Sequence, residues 1–216
     1  MHGGLVPGVS SLVARELVDR HPDADGIGIG MMFSSRGVSG PTGATFAFDA
    51  LADRAHHRTR RLDVGALGTR SAFEVLPDER GWLGAIATGR AVHTYVSFAE
   101  RSLHSLLLTC NAAHAMRLLP RRAFTLARGR RPLTNEPIVE WIGVERNSRL
   151  LASARIECEG DYRATADAVL AQARALLAQR RHGATWTGVR TIEEALTLDD
   201  IRADLARAGI RIDANR

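Results

Sequence analysis

Lysine is absent from the sequence: every one of its 29 basic residues is arginine. A lysine acid or base is therefore excluded. So uniform a use of arginine reads as a codon bias toward GC-rich triplets, and the net charge of +5 loses weight as a sign of a nucleic-acid partner. Cysteine is nearly absent. Cys110 and Cys158 stand far apart, with no CxxC and no Cys/His cluster at zinc spacing, so neither a disulfide framework nor a metal site is expected. Two ordinary buried thiols are. No apolar run approaches the roughly 18 to 20 residues that cross a bilayer. The first residues lack a basic segment followed by an apolar one, so no membrane partner is expected and the protein reads as cytoplasmic. Repeats, low-complexity tracts and Pro/Ser-rich linkers are also missing.

What is present suits a globular fold. The chain has 216 residues, 45% of them apolar, enough for one large core or a core with an appendage. Two arginine-dense patches stand out, "RAHHRTRR" at 54–61 and "RRAFTLARGRR" at 121–131. No nucleic-acid motif frames either, so a solvated surface is the expectation for both and nucleic acid is not an expected partner.

Periodicity supplies the elements. Leu12, Val13, Leu17 and Val18 recur at helical spacing in a first helix running to about Arg20, capped by Ser10 or Ser11. "DGIGIGMMF" (25–33) reads as a buried strand whose glycines allow close backbone approach. A Gly-rich loop then leads into a helix ending near His56. Strands are expected at 59–67, 71–76 and 91–98, the last with Val92, Thr94, Val96 and Phe98 on one face and His93, Tyr95 and Ser97 on the other. A helix from about Glu100 to Leu119 follows. Two long antiparallel strands are expected around "RNSR", then a helix over 161–181 with a small-residue face of Ala164, Ala168, Ala171 and Ala175. The tail gives a helix opened by Asp199 and Asp200, stopped at Gly209, and a short "IRI" strand. The fold class is α+β, a mixed or largely antiparallel sheet with helices packed on one face.

Three stretches, "GGLVPGVSSLVARE", "GDYRATADAVLAQARALL" and "GVRTIEEALTLDDIRADLARAGI", together resemble the saccharopine dehydrogenase/reductase family, in the part that follows its nucleotide-binding half. The resemblance is carried by both ends of the chain and only faintly by the middle. It implies a substrate and dimerisation domain over 1–160 and a helical segment over 161–216 that returns toward a Rossmann half. It also implies an NAD(P)-dependent oxidoreductase acting on an imine, a secondary amine or a related carbonyl. The dinucleotide fingerprint itself is not found: "GIGIG" (26–30) alternates within a strand pattern, and "GVSGPTG" (37–43) has the spacing GxxGxxG. NAD(P) is thus expected only with a Rossmann half from a separate chain or from sequence upstream of Met1, and this chain alone is expected to bind no cofactor and to be inactive. The alternative is a non-catalytic ligand-binding or dimerisation module degenerate from the same family. A third reading, an arginine-rich nucleic-acid binder, would show itself by steeply salt-dependent binding.

The candidate residues follow. His93 and Tyr95 share the polar face of one strand, and such a pair can transfer protons near neutral pH; two half-exposed residues on a sheet face are the plainer account. Under the resemblance, Gly3, Gly4, Pro7 and Gly8 lie beside the nicotinamide or a substrate carboxylate, although a tight turn explains the glycines equally. Ser39, Gly40 and Thr42 can hydrogen-bond a small-molecule substrate or form a surface turn. Tyr162, Arg163 and Thr165 are placed at the interdomain cleft, Arg163 as a carboxylate clamp, while a helix cap at Asp161 accounts for the same segment. His56, His57, His104 and His114 read as structural or surface residues. The resemblance implies a homodimer.

Overall fold

The computed structural model describes residues 5–33, 49–75, 83–119, 137–185, 187–188 and 190–215. Helix α1 (Ser10–Arg20) turns Leu12, Val13, Leu17 and Val18 inward, as their spacing requires. Neither serine caps it. The chain enters through a π-helical turn, Leu5–Val9, so Ser10 already lies inside the helix and its hydroxyl donates back to the Leu5 carbonyl at 3.3 Å.

Strands β1 (Gly26–Phe33), β2 (Thr59–Asp63), β3 (Thr69–Val75), β4 (Ala91–Phe98), β5 (Pro137–Arg146), β6 (Arg149–Glu159) and β7 (Arg211–Asn215) form one sheet in the order β2-β3-β4-β1-β5-β6-β7. β1 and β4 are parallel and every other pairing is antiparallel. The fold is α+β with a mixed sheet, as the periodicity indicated. Helices α2 (Arg101–Ala112), α3 (Asp161–Arg181), α4 (Ile192–Ala195) and α5 (Asp199–Arg207) also lie among the described residues. The β5–β6 hairpin closes through Asn147 and Ser148 at φ 50° and 62°, the paired left-handed conformations of a two-residue hairpin loop whose twist matches its strands. Gly209, at φ 80°, ends α5.

Alternation along the strands gives the sheet two different faces. On one, Ile27, Ile29, Val92, Ile142, Val144, Ala154 and Ile156 join Leu12 and Leu17 of α1, Ala164, Ala168 and Ala171 of α3, and Ile201 and Leu205 of α5 in the main core. Phe73, Val96 and Phe98 extend that face to Leu103 and Leu107 of α2. Of the small-residue stripe of α3, Ala164, Ala168 and Ala171 are buried as expected and Ala175 is half-buried; the stripe lets the helix lie close to the sheet.

The opposite face is concave. In a flat sheet β2 and β6 would lie about five strand spacings, roughly 24 Å, apart. Instead Arg155 of β6 pairs with Asp63 of β2 at 2.9 Å, and Arg60 of β2 pairs with Glu145 of β5. The sheet therefore rolls until its β2 side meets its β5–β6 side. Gly26, Gly28 and Gly30 of β1 and Gly143 of β5 all lie on the inside of this curve, and a β-bulge at Val144/Glu145 adds local twist.

Some boundaries differ from expectation. The helix expected to reach His56 has helical residues 49–52 and then ends, because the His57 ring is held by the carbonyls of Leu51 and Glu74, each at 2.8 Å. β2 stops at Asp63, whose carboxylate accepts from the Gly65 N–H at the start of a 3-10 turn. α2 ends at Ala112, not Leu119, since His114 takes φ 55° and stacks on His56 at 4.5 Å. Cys158 is buried, whereas Cys110 is only half-buried; both are free thiols.

Candidate functional site

The concave face holds the polar cluster. His93 and Tyr95 project from β4 onto it, and Glu74 of β3 lies opposite Tyr95 in register. The Glu74 carboxylate receives His93 Nδ1 at 2.8 Å, which orients the imidazole and leaves Nε2 with no partner among the described residues. Glu74 is itself fixed, because its backbone carbonyl is one of the two that hold the His57 ring. His57 in turn is anchored by Asn111 of α2, whose side chain bonds both the N–H and the carbonyl of His57, at 2.6 and 3.0 Å. A chain of contacts thus runs from α2 to the His93 ring.

Tyr95 stacks beside His93 with ring centroids 6.4 Å apart and is 6% exposed. Burial raises its phenol pKa above the ordinary 10.0; hydrogen bonding and charge from Arg60 oppose that rise without cancelling it. The hydroxyl is therefore protonated at neutral pH. Arg60 lies 5.8 Å from the Tyr95 ring centroid and 5.1 Å from that of Trp141, and is neutralised by Glu145. Beneath these groups the glycines form a floor. A Cβ on Gly28 would stand 2.8 Å from the Trp141 indole and 3.5 Å from the Tyr95 ring, and one on Gly143 only 2.2 Å from the indole. What approaches the bare backbone of β1 is thus an aromatic side chain. A groove of about 430 Å³ lies between β2 and the β5–β6 hairpin, lined by Arg60, Arg61, Asp63, Thr69, Trp141 and Ser153; His93, Tyr95 and Glu74 do not line it.

The other candidates lie elsewhere. Tyr162, Arg163 and Thr165 occupy the first turns of α3, on the helix-covered side of the sheet. His93 lies in line with Ser153 of β6, and α3 begins beyond Glu159, about 20 Å further along that strand. Arg163 borders a larger cavity of about 560 Å³ with Val64, Leu67, Glu157 and Arg211. There Arg211 pairs with Glu157 at 3.1 Å, and Arg163 stands 3.8 Å from Asp167. Tyr162 is 60% exposed. Gly8 is buried against α3, where a Cβ would meet the Gln172 amide at 2.6 Å. Pro7 lies in the same turn. Gly3, Gly4, Ser39, Gly40 and Thr42 fall outside the described residues, as does the patch at 121–131.

The patch at 54–61 is not wholly a solvated surface: His57 is 2% exposed and Arg60 faces the inside of the roll. His104 is buried against Phe73, and neither ring nitrogen has a partner among the described residues; burial, then the charge of Arg70, lowers its pKa below 6.5. Glu74, Arg60, Trp141 and Glu145 are the site residues that sequence reasoning missed. Only the alternation of Phe73, Glu74 and Val75 hinted at one of them. Among the described residues no group of three or more His, Cys, Asp or Glu side chains is placed to hold a metal ion, and no helix is long and apolar enough to cross a membrane. Compared with known proteins, the chain matches no family model, and no curated protein matches it.

Proposed function

We propose that this chain is the substrate-handling part of an NAD(P)-dependent oxidoreductase, one that reduces or oxidises a carbon–nitrogen or related carbonyl centre in a cytoplasmic setting. The observation that carries the reading is the His93–Glu74 pair beside a protonated Tyr95. Hydride transfer at such a centre needs a proton delivered to, or taken from, the neighbouring heteroatom. A carboxylate-oriented imidazole with a free Nε2 can accept that proton, and a phenol held neutral can donate one. Lysine, the other common choice, is absent.

Gly8, the described glycine of the opening Gly-rich segment, is covered by Gln172 and leaves no open backbone cradle. We therefore assign no step to a cofactor bound here; under this reading the nucleotide is held by residues outside those described. The resemblance of both chain ends to the saccharopine dehydrogenase/reductase family supports the same division of labour.

The test is a fluorescence titration of the purified chain with NADPH and with NADH, alone and after addition of a Rossmann-type chain encoded beside it. Binding only in the mixture is the expected result. Tight binding by this chain alone would overturn the division, and no binding in either setting would favour a non-catalytic module.

A further inference from the structure

Helix α3 buries one side and exposes an apolar stripe on the other. Ala164, Ala168 and Ala171 face the core, whereas Tyr162, Val169, Leu170 and Leu177 are 60%, 42%, 46% and 57% exposed, with exposed Ala166 and Ala173 between them. At 3.6 residues per turn these six positions fall within a sector about 100° wide. A continuous stripe of this kind on an otherwise amphipathic helix marks a contact surface.

We propose that α3 packs antiparallel against α3 of a second copy of this chain, about a two-fold axis passing between Val169 and Leu170. The order of residues along the stripe is the first argument. Read outward from that axis, Val169 meets Leu170, Ala166 meets Ala173 and Tyr162 meets Leu177, so large faces large at the centre and ends while small faces small between them. A two-fold contact requires such self-complementarity.

Charge is the second argument. Asp167 and Arg174 border the same side of the stripe. The antiparallel arrangement brings Asp167 of one copy to Arg174 of the other, about two residues out of line, or roughly 3 Å at the helical rise, well within the reach of an arginine. A parallel two-fold pairing would carry this flank of the two copies to opposite sides of the interface, where Asp167 and Arg174 could not meet. Among the described residues both have only long, loose partners: Arg163 stands 3.8 Å from Asp167, and Asp204 stands 3.9 Å from Arg174. Antiparallel packing also opposes the two helix dipoles favourably. One helix pair is a small contact, so a dissociation constant on the order of 10 µM is expected. This inference is independent of the reading of the concave face.

Sedimentation velocity on the full chain, from about 1 to about 200 µM, brackets that constant. The expected result is a concentration-dependent dimer, lost in Leu170→Glu, with circular dichroism confirming a folded variant. Asp167→Arg should weaken it roughly tenfold, and Asp167→Arg with Arg174→Asp should restore it to within about threefold. In a Cys110→Ser background, Tyr162→Cys with Leu177→Cys should be bridged between chains by a short bis-maleimide, and either cysteine alone should not. A monomer at the highest concentration overturns the proposal. So does a dimer indifferent to Leu170→Glu, a charge swap that fails to restore association, or a stripe protected only by a different chain.

Discussion

Replacing Gly143 with alanine tests the packing beneath the polar cluster. The new methyl carbon would stand 2.2 and 2.5 Å from two indole carbons of Trp141 and 2.9 Å from Leu150 Cδ1. Carbon atoms in ordinary contact sit about 3.5 to 4.0 Å apart, so the indole must shift by more than about 1 Å. Trp141 is 2% exposed, with Arg60 above it and the Gly28 backbone below, and cannot swing freely into solvent. Overpacking of this sort costs about 1 to 3 kcal/mol. The alanine recovers about 0.5 to 1 kcal/mol through a less flexible unfolded chain, for a net loss of about 1 to 2 kcal/mol. Urea denaturation measures it. The companion experiment places Gly143→Ala in a Trp141→Leu background: that single change lowers stability itself, but the alanine should then be neutral or slightly stabilising, giving a coupling of about 2 kcal/mol between the sites. A Gly143→Ala protein as stable as the parent, or strictly additive effects, would refute the floor-and-indole account.

Further predictions concern charge. Glu145→Gln leaves the Arg60 guanidinium over two aromatic rings without its counter-ion, and should cost about 2 kcal/mol in urea melts, whereas Arg60→Met with Glu145→Leu should cost less than the single change. His104 should make the fold acid-sensitive. Its native pKa is depressed, so between that value and 6.5 the unfolded chain binds more protons than the native one, and stability falls as pH falls through that window. His104→Leu should flatten the decline in urea midpoint between about pH 7 and pH 5; an unchanged slope would show that other groups cause it.

Much of the fold was legible in the sequence. The elements that periodicity defined most clearly, α1, β1, β4, the β5–β6 hairpin, α3 and α5, lie where the pattern of apolar residues put them, because burial on one face is what such a pattern records. The boundaries that moved did so for tertiary reasons that no local pattern carries: His57 is drawn between two carbonyls, and His114 stacks on His56. The site was legible only in half. Alternation placed His93 and Tyr95 on one face of β4. Their neighbours depend on strand order, which sets Glu74 beside them, and on the roll of the sheet, which brings Arg60 to Glu145 and Trp141 with three strands between them in the sheet order. Arginines in a basic run look like surface residues until the sheet curls around one of them.

The role proposed for His93, oriented by Glu74, is to move a proton during nucleotide-dependent reduction. The most direct measurement is steady-state NADPH oxidation by the chain mixed with a Rossmann-type chain encoded beside it, over a set of imine and carbonyl substrates, comparing the parent with His93→Gln and Glu74→Gln. The account predicts that kcat falls by about 10² or more for His93→Gln, and by less for Glu74→Gln, while nucleotide binding by the mixture is unchanged. Turnover that is insensitive to His93→Gln in a folded protein would contradict it.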